Sequence, residues 1–174
     1  MIKEHIIPTE EESKLLKDLE KRQDADALRM RRYLNMPDLS RTPGSPVAEI
    51  VERIVKAPYF KDLDIIKTPE IVPANVSFDL FDFPADHPAR SKSDTYYVDD
   101  NNILRTHTTV CWYYYLMMEE IKKRIAENKP SGCFSFGKVY RKDEIDRNHM
   151  NVFHQIDGWY LVPKAMGIMG KKEL

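Results

Sequence analysis

The chain has 174 residues, of which 42% are hydrophobic and 32% charged, which excludes a disordered chain and allows one domain with a hydrophobic core. Its net charge of −1 gives no overall bias toward nucleic acid but permits a local RNA-binding patch. Cys111 and Cys133 lack CxxC spacing, so neither a disulfide framework nor a zinc knuckle is predicted, and a reducing cytoplasm fits. Residues 1–12 are unlike a signal peptide, and the longest apolar run, 110–118, is too short to span a bilayer.

The N-terminal part of the chain predicts a charged helix. A capping box, Thr9 followed by Glu12, opens the helix, which runs to about Leu34. Its apolar positions are interrupted by polar ones, so we expect a solvated helix or half of an antiparallel arm. Three prolines and a glycine mark residues 35–46 as a linker. We therefore divide the chain into a helical segment with its linker, 1–41, and a second domain, 42–174.

A second helix is predicted directly after this linker. Ser45 is suited to cap it, and Pro46 to occupy its first position. Apolar residues then recur at the spacing of a buried helical stripe, which we expect to pack in the core or at a subunit interface. They are Val47, Ile50, Val51, Ile54 and Val55.

Three short strands and a long helix are predicted next. Residues 63–72 predict a strand interrupted by Pro69. Residues 95–98 and 103–105 predict two strands around a turn at 99–102, which is rich in Asp and Asn.

The helix is expected over 109–128, and it stops before Pro130. Thr108 or Thr109 is suited to cap its start. Four of its residues are expected in the core: Trp112, Leu116, Ile121 and Ile125.

Residues 132–162 form the most informative stretch. Two aromatic-rich apolar runs flank the charged segment 142–151, a pattern that predicts an antiparallel hairpin with a long polar loop. Because strand side chains alternate, one face carries polar and aromatic groups suited to a nucleotide and a zwitterion, provided that the first strand extends far enough. An ordinary solvated hairpin face has the same composition. The residues of this face are Arg141, Asp143, Phe153, Gln155 and Asp157.

Three strings in the sequence resemble those of a known family. Gly137-Lys-Val-Tyr-Arg141-Lys-Asp143, then His149 and Phe153-His-Gln-Ile-Asp157-Gly158, resemble motif 2 of class II aminoacyl-tRNA synthetases, in detail the phenylalanyl-tRNA synthetases. Asp86-His-Pro-Ala-Arg90 with Asp94-Thr-Tyr-Tyr, and Leu104-Arg-Thr-His107-Thr-Thr109, resemble the same family. The implied fold is α+β, with an antiparallel sheet flanked by helices.

The resemblance implies roles for single residues. Arg141 would grip the α-phosphate and the amino-acid carboxylate, His149 would approach the outer phosphates, and Phe153 would stack on adenine. Asp143 stands where the family has a glutamate near the adenine amino group, and its shorter side chain weakens that contact. The remaining set would lie beside the ammonium group of phenylalanine: His107, Thr109, Gln155 and Asp157.

The implied activity is ATP-dependent activation of phenylalanine, with Mg²⁺, followed by transfer to tRNA(Phe). The implied partner is the beta subunit in an α2β2 tetramer, in the cytoplasm and without a membrane. Trp112 and Ser93 depart from the family pattern and could reshape the amino-acid pocket. The resemblance covers residues 46–162 and lacks motif 3, so we expect an incomplete catalytic subunit that is inactive alone.

Three alternatives stay open at this point. Ser91-Lys-Ser-Asp94-Thr-Tyr-Tyr also resembles the single-chain organellar type of phenylalanyl-tRNA synthetase. A non-catalytic, synthetase-like paralogue would share the fold and lack the activity. A metalloprotein would need the histidines and cysteines as ligands, and no pair of them has the tight spacing of a zinc site.

Overall fold

The computed structural model describes residues 3–8 and 10–163, and there the chain has the α+β fold that the sequence predicts. No helix in these ranges is long and apolar enough to cross a membrane. Single 3₁₀ turns lie at Pro58–Phe60, Asp79–Phe81, Pro88–Arg90 and Thr108–Val110. The strands and helices are, in chain order, β1 Glu4–Ile6, α1 Glu10–Lys21, α2 Ala25–Leu34, α3 Pro46–Val55, β2 Asp64–Lys67, β3 Ile71–Pro73, α4 Ala74–Ser77, β4 Asn102–Leu104, α5 Cys111–Met117, α6 Glu119–Ala126, β5 Ser131–Tyr140 and β6 Val152–Leu161.

The central sheet has four strands in the order β1-β2-β5-β6. β5 and β6 form the predicted antiparallel hairpin, in which Gly137 pairs with Gln155 and Tyr140 with Val152. β2 runs parallel to β5, and β1 runs parallel to β2, so the sheet is mixed rather than antiparallel throughout. The reason is the connection: a helical crossover separates each of these pairs along the chain, and such a crossover joins parallel strands.

The two faces of the hairpin bury different helices. On one face Val51 and Val55 of α3 pack against Phe134. On the other, Ile121 of α6 packs against Cys133, and both side chains are fully buried. We expected the apolar stripe of α3 to pack in the core or at a subunit interface, and in the structure it packs on the sheet face formed by Phe134 and Phe136.

The predicted start of α3 is confirmed. Ser45 Oγ accepts a hydrogen bond from Val47 N at 3.2 Å, and Pro46 occupies the first turn. The stripe is only partly buried, because Ile50 is 58% exposed.

The N-terminal helical segment differs from its prediction in two ways. It is broken between α1 and α2, where Asp24 accepts from Ala27 N at 3.0 Å and starts a new helix. It is not a solvated helix, since Leu19, Met30 and Tyr33 are buried against the body of the protein. The apolar residues that polar residues separate in the sequence therefore reach one core cluster from two shorter helices, α1 and α2.

The predicted capping box includes Thr9, which lies outside the described residues. The carboxylate of its other member, Glu12, accepts from Glu70 N at 2.6 Å and from Ile71 N at 3.0 Å. Burial raises the pKa of Glu12, and the two backbone bonds oppose that rise. Glu12 thus ties α1 to the start of β3.

The strands predicted around residues 63–72 and 95–105 are confirmed in part. The first run divides at Thr68–Glu70 into β2 and β3, which belong to different sheets. β3 pairs with β4 in a two-stranded antiparallel sheet. The strand predicted over 95–98 is reduced to a single bridge between Tyr97 and Ile103, and the turn is closed by Asp99, which accepts from Asn102 N at 2.8 Å.

The long helix predicted over 109–128 is two helices. α5 ends at Met117, Met118 is extended with φ −71° and ψ 129°, and α6 then runs to Ala126. Of the four residues expected in the core, Ile121 is fully buried, while Trp112, Leu116 and Ile125 are half-buried.

Candidate active site

A cleft of about 490 Å³ opens beside the end of the β5–β6 hairpin. Its walls come from three parts of the chain: the segment 83–95, the approach to α5, and the hairpin with its loop. Four of the residues singled out from the sequence line it. They are His107, Arg141, Asp143 and Gln155.

The alternation of β6 places Gln155 at this cleft, with Phe153 and Asp157 on the same face of the hairpin but outside the cleft lining. Phe153, Gln155 and Asp157 stand at every second position and pair across the hairpin with Val139, Gly137 and Ser135. The intervening residue Ile156 packs on the opposite side with the α3 cluster. The face predicted from the sequence therefore exists, and its reverse side belongs to the core.

Asp157 is bound to the turn that precedes α5. Its Oδ2 atom accepts from Thr108 Oγ1 at 2.6 Å and from Thr109 Oγ1 at 2.9 Å. We expected one of these threonines to cap the helix, and that expectation is wrong: neither the 3₁₀ turn nor α5 has a side-chain cap. Both hydroxyls instead donate to the carboxylate, and hydrogen bonds to an ionised acceptor are stronger than those to a neutral one.

Gln155 binds the same turn. Its Oε1 atom accepts from Thr108 N at 3.2 Å, which leaves the side-chain amide N–H₂ group of Gln155 free to donate on the cleft side. The two polar residues of β6 therefore hold the start of α5 against the sheet, and they do so next to the cleft.

His107 stands directly before this turn in an extended conformation. Its Nε2 atom lies 3.3 Å from Ser77 O, and because a carbonyl only accepts, Nε2 carries the proton. The ring packs edge-on against Phe81 with 4.9 Å between centroids. Burial lowers the pKa of His107, so the ring is neutral at physiological pH. Its Nδ1 atom is buried and has no hydrogen-bond partner among the described residues.

Arg141 lies one residue beyond the end of β5. Its backbone N–H donates to Asn151 O at 3.0 Å, and its guanidinium carbon is 5.9 Å from the centre of the Phe153 ring. Asn151 closes the strand end by donating to Arg141 O and to Asp143 O, both at 2.8 Å. The first strand therefore stops short of Asp143, which reaches the cleft from the loop and not from the sheet.

His149 is not brought to the cleft. Its side chain is 56% exposed, and Nδ1 lies 2.8 Å from Asp146 Oδ1 within the loop. Asp146 also accepts from His149 N at 2.8 Å, so the loop is organised locally around this carboxylate. Arg141, Asp143 and His149 are all exposed, and of these three His149 is the one that does not line the cleft.

The described part of the chain contains no group of three or more His, Cys, Asp or Glu side chains placed to hold a metal ion. Cys111 and Cys133 are buried thiols of the α5–β5 interface. The hydrogen bond with the Cys111 thiol, together with burial, raises the pKa of Cys133 well above its usual value, so it stays protonated.

Comparison with known proteins identifies the fold around this cleft. The family described as tRNA synthetases class II core domain (F) matches residues 34–166. The chain belongs to this family. A crystal structure of pyrrolysyl-tRNA synthetase from Desulfitobacterium hafniense has the same fold, with a TM-score of 0.50 and 20% sequence identity over 84% of this chain and 46% of that one.

Three curated relatives of this chain are named as phenylalanine–tRNA ligases or as their alpha subunits. The mitochondrial phenylalanine–tRNA ligase of Saccharomyces cerevisiae is 40% identical over 103 residues, which is 59% of this chain and 21% of that protein. The phenylalanine–tRNA ligase alpha subunit of Thermotoga neapolitana is 31% identical over 153 residues, or 87% of this chain and 44% of that protein. The alpha subunit of Mycobacterium avium is 31% identical over 82% of this chain and 41% of that subunit. The chain thus spans less than half the length of these relatives.

Trp112 and Ser93, the two residues that depart from the family pattern, have different surroundings in this class II core. Trp112 packs edge-on against Phe81, with 5.6 Å between the ring centres, and the same Phe81 ring contacts His107. Ser93 Oγ donates to Asp94 Oδ1 at 2.8 Å, and Asp94 lines the cleft.

The sequence reasoning missed part of the cleft wall of this synthetase core. Phe83, His87, Pro88 and Thr106 line the cleft, although no role was assigned to them. For His87, Pro88 and Thr106 the available signal was their position in two of the three strings that carry the resemblance; Phe83 lies outside those strings.

Proposed function

We propose that this chain is the front part of the catalytic subunit of a phenylalanine–tRNA ligase. The ligase would activate phenylalanine with ATP to phenylalanyl-adenylate and transfer the phenylalanyl group to tRNA(Phe). The observation that carries the proposal is the cleft itself: Arg141, His107 and Gln155 come from separate parts of the chain and line one cavity inside a class II synthetase core. The names of the curated relatives support phenylalanine as the amino acid.

The ammonium group of phenylalanine would bind near the start of α5. Asp157 offers negative charge there, held in place by the hydroxyls of Thr108 and Thr109. The Nδ1 atom of His107 is a buried acceptor with no partner among the described residues, so a donor from the ligand would satisfy it. Gln155 completes the proposed binding set.

The nucleotide would bind at the Arg141 end. A carboxylate oxygen of phenylalanine attacks the α-phosphorus of ATP, and the bond to the leaving pyrophosphate breaks. This reaction depends on alignment and on stabilisation of negative charge, and a guanidinium serves both through paired hydrogen bonds. Phe153, beside Arg141, would stack on adenine, and Asp143 would accept from the adenine amino group.

His149 is proposed to reach the outer phosphates from the exposed loop, which would require it to leave Asp146. Mg²⁺ would arrive with the nucleotide, since this ion is usually held by phosphates, waters and one or two carboxylates. The partners would be tRNA(Phe) and the beta subunit of an α2β2 enzyme. The cytoplasmic location stays a prediction, because one relative is named as mitochondrial.

The test is ATP–pyrophosphate exchange by the ligase that contains this chain. Arg141→Ala should abolish phenylalanine-dependent exchange, a loss of at least about a hundredfold, because a charged contact to the reacting phosphate disappears. Arg147→Ala removes an exposed arginine from the same loop and should retain exchange. Near-normal exchange in Arg141→Ala, with the fold intact by circular dichroism, would rule the assignment out.

A single-chain organellar ligase is the second candidate. The 40% identity to the mitochondrial yeast enzyme favours it. The two forms differ in partner requirement: a single-chain ligase aminoacylates tRNA(Phe) without a beta subunit, whereas an alpha subunit does not. Aminoacylation measured with and without added beta subunit separates them.

A further inference from the structure

His87 stands at the start of the 3₁₀ turn Pro88–Arg90, on the wall of the cleft. Its Nδ1 atom accepts a hydrogen bond from Ala89 N at 3.1 Å. A backbone N–H can only donate, so Nδ1 must carry the lone pair in this arrangement. The neutral ring therefore carries its proton on Nε2, and the fold selects this tautomer.

The ring is also fixed in orientation. Phe83 stacks on it with 4.6 Å between centroids and an angle of 14° between the planes. The turn behind it is braced, since Arg90 donates to Phe83 O at 2.6 Å and pairs with Asp79 at the same distance. Thr95 Oγ1 donates to Ala89 O at 2.7 Å. A ring held by a cap bond and a stack loses little entropy when it binds a ligand.

The Nε2–H group has no acceptor among the described residues, since the bond to Ala89 N is the one hydrogen bond that the ring makes there. Arg141 lines the same cleft and contributes positive charge. The two carboxylates of the lining are already engaged: Asp94 accepts from Ser93 Oγ, and Asp143 accepts from Glu144 N. The free donor thus shares the cleft with a guanidinium.

We propose that His87 binds substrate directly, with Nε2–H donating to an anionic oxygen in the cleft. Both a phosphate and a carboxylate present such an oxygen, so the Nε2–H group of His87 would bind either the nucleotide or the amino acid. This inference rests on the proposed function of the cleft. His87 would be a binding residue and not a proton acceptor, because Nδ1, the ring nitrogen with the lone pair, already accepts from Ala89 N.

The first test is made on the 174-residue chain with ¹⁵N-labelled histidine. Long-range ¹H–¹⁵N spectra distinguish the two neutral tautomers, and His87→Asn identifies the signals of His87. We expect Nε2–H for His87. His154 is the internal reference: its Nε2 accepts from Leu39 N at 2.9 Å, so it should carry its proton on Nδ1. An Nδ1–H tautomer at His87 overturns the proposal.

The second test adds ATP and phenylalanine separately to the ligase that contains this chain, labelled in the same way. We expect either ATP or phenylalanine to shift the Nε2 signal of His87 while the signals of His154 stay unchanged. The ligand that causes the shift shows whether the anionic group is a phosphate or a carboxylate. If backbone signals near Arg141 or Phe153 move and His87 does not, the inference fails while the proposed function stands. If neither ligand moves any signal of the cleft, the proposed function fails, and this inference with it.

The third test uses exchange kinetics of the ligase that contains this chain. Asparagine at position 87 can still accept from Ala89 N, since asparagine is a preferred helix-start residue, but it does not reach as far into the cleft. His87→Asn should raise the KM of the same ligand about tenfold or more, the expected order for a lost bond to a charged group. Unchanged KM values in His87→Asn, with lowered stability in His87→Ala, would mean that His87 only caps the turn.

Discussion

Thr108 Oγ1 donates a 2.6 Å hydrogen bond to Asp157 Oδ2 across 49 positions of the sequence. This bond joins the turn before α5 to the middle of β6, so the stability of the fold and the position of a candidate binding carboxylate depend on the same contact. Thr108 is fully buried, and the second hydroxyl on this carboxylate comes from Thr109, which is half-buried. Asp157 itself is half-buried, and these two hydroxyls hold its carboxylate in place.

Thr108→Val should therefore destabilise the protein. The side chain keeps its shape while a buried bond to a carboxylate is lost, which typically costs about 1.5–3 kcal/mol. Thr109→Val is the matched control, with a longer bond of 2.9 Å and a smaller expected effect. Urea unfolding of the two variants measures the difference, and a loss below about 0.5 kcal/mol for Thr108→Val would show that the bond adds little.

Stability should also fall as the pH drops below 6.5. Burial lowers the pKa of His154 below that value; Lys138 adds to this effect, and Asp38 opposes it. Asp38 Oδ1 is 3.4 Å from Nε2, but it already accepts from Ser40 N and Ser40 Oγ, and Leu39 N donates to Nε2. Since the unfolded histidine binds a proton in this window and the folded one does not, protonation favours unfolding.

Urea midpoints measured from pH 7.5 to 5.5 test this sign. The wild-type midpoint should decrease with falling pH, and His154→Gln should flatten the decrease. His107, whose pKa is also lowered by burial, contributes in the same direction and leaves some slope. His149→Asn changes an exposed loop histidine and serves as the control. A steeper slope in His154→Gln would contradict the prediction.

The elements that the sequence predicts well are those with local signals. The start of α3 follows from Ser45 and Pro46, and the hairpin follows from two apolar runs around a charged loop. The alternation of β6 was enough to bring Gln155 and Asp157 to one face. Capping chemistry and strand periodicity act within a few residues, so a single sequence contains them.

Several contacts that the sequence did not predict are long-range. Glu12 binds the backbone of Glu70 and Ile71, and the threonines before α5 bind Asp157. These partners lie far along the chain, so capping rules that act within a few residues do not identify them. The burial of α1 and α2 is of the same kind, because it depends on the body against which they pack.

Lys138 should be the most sensitive lysine in the described part of the chain. It is 2% exposed, and its ammonium donates to Leu34 O at 2.7 Å and to Met36 O at 2.8 Å, at the end of α2. Glu70 lies 3.2 Å away as its counter-ion. Lys138→Met leaves three carbonyls without this donor, those of Tyr33, Leu34 and Met36, and removes the counter-ion of Glu70, which keeps the Tyr140 hydroxyl as a donor. Removing one partner of a buried ion pair in this way costs about 3–5 kcal/mol.

The control is Lys56→Met. Lys56 also stands at a helix C-terminus and pairs with Glu52, but its side chain is 71% exposed. An exposed pair of this kind contributes little to stability because water screens it. Thermal unfolding of both variants measures the difference, and equal melting temperatures would mean that water reaches the Lys138 site.

Gly137 should not tolerate alanine. It has φ 150° and sits in β5 opposite Gln155, and a Cβ atom there would overlap the guanidinium of Arg105. That guanidinium cannot easily move, because it is 3% exposed and donates to Lys138 O at 2.8 Å and to Thr68 Oγ1 at 2.9 Å. Backbone strain and overpacking together should cost about 3 kcal/mol or more in Gly137→Ala.

Gly44→Ala separates these two costs. Gly44 also has a positive φ, 79°, but a Cβ atom there meets nothing within 4 Å, so this variant carries the backbone cost alone, about 1–2 kcal/mol. The difference in the free energy of unfolding between the two variants then measures the overlap with Arg105. In Gly137→Ala the displaced guanidinium should also shift the adjoining strand at Gln155, so binding of ligand in the cleft should weaken, whereas Gly44→Ala should bind normally. Equal stability losses in the two variants would mean that Arg105 moves aside, and the rigid packing of its guanidinium against β5 would then be wrong.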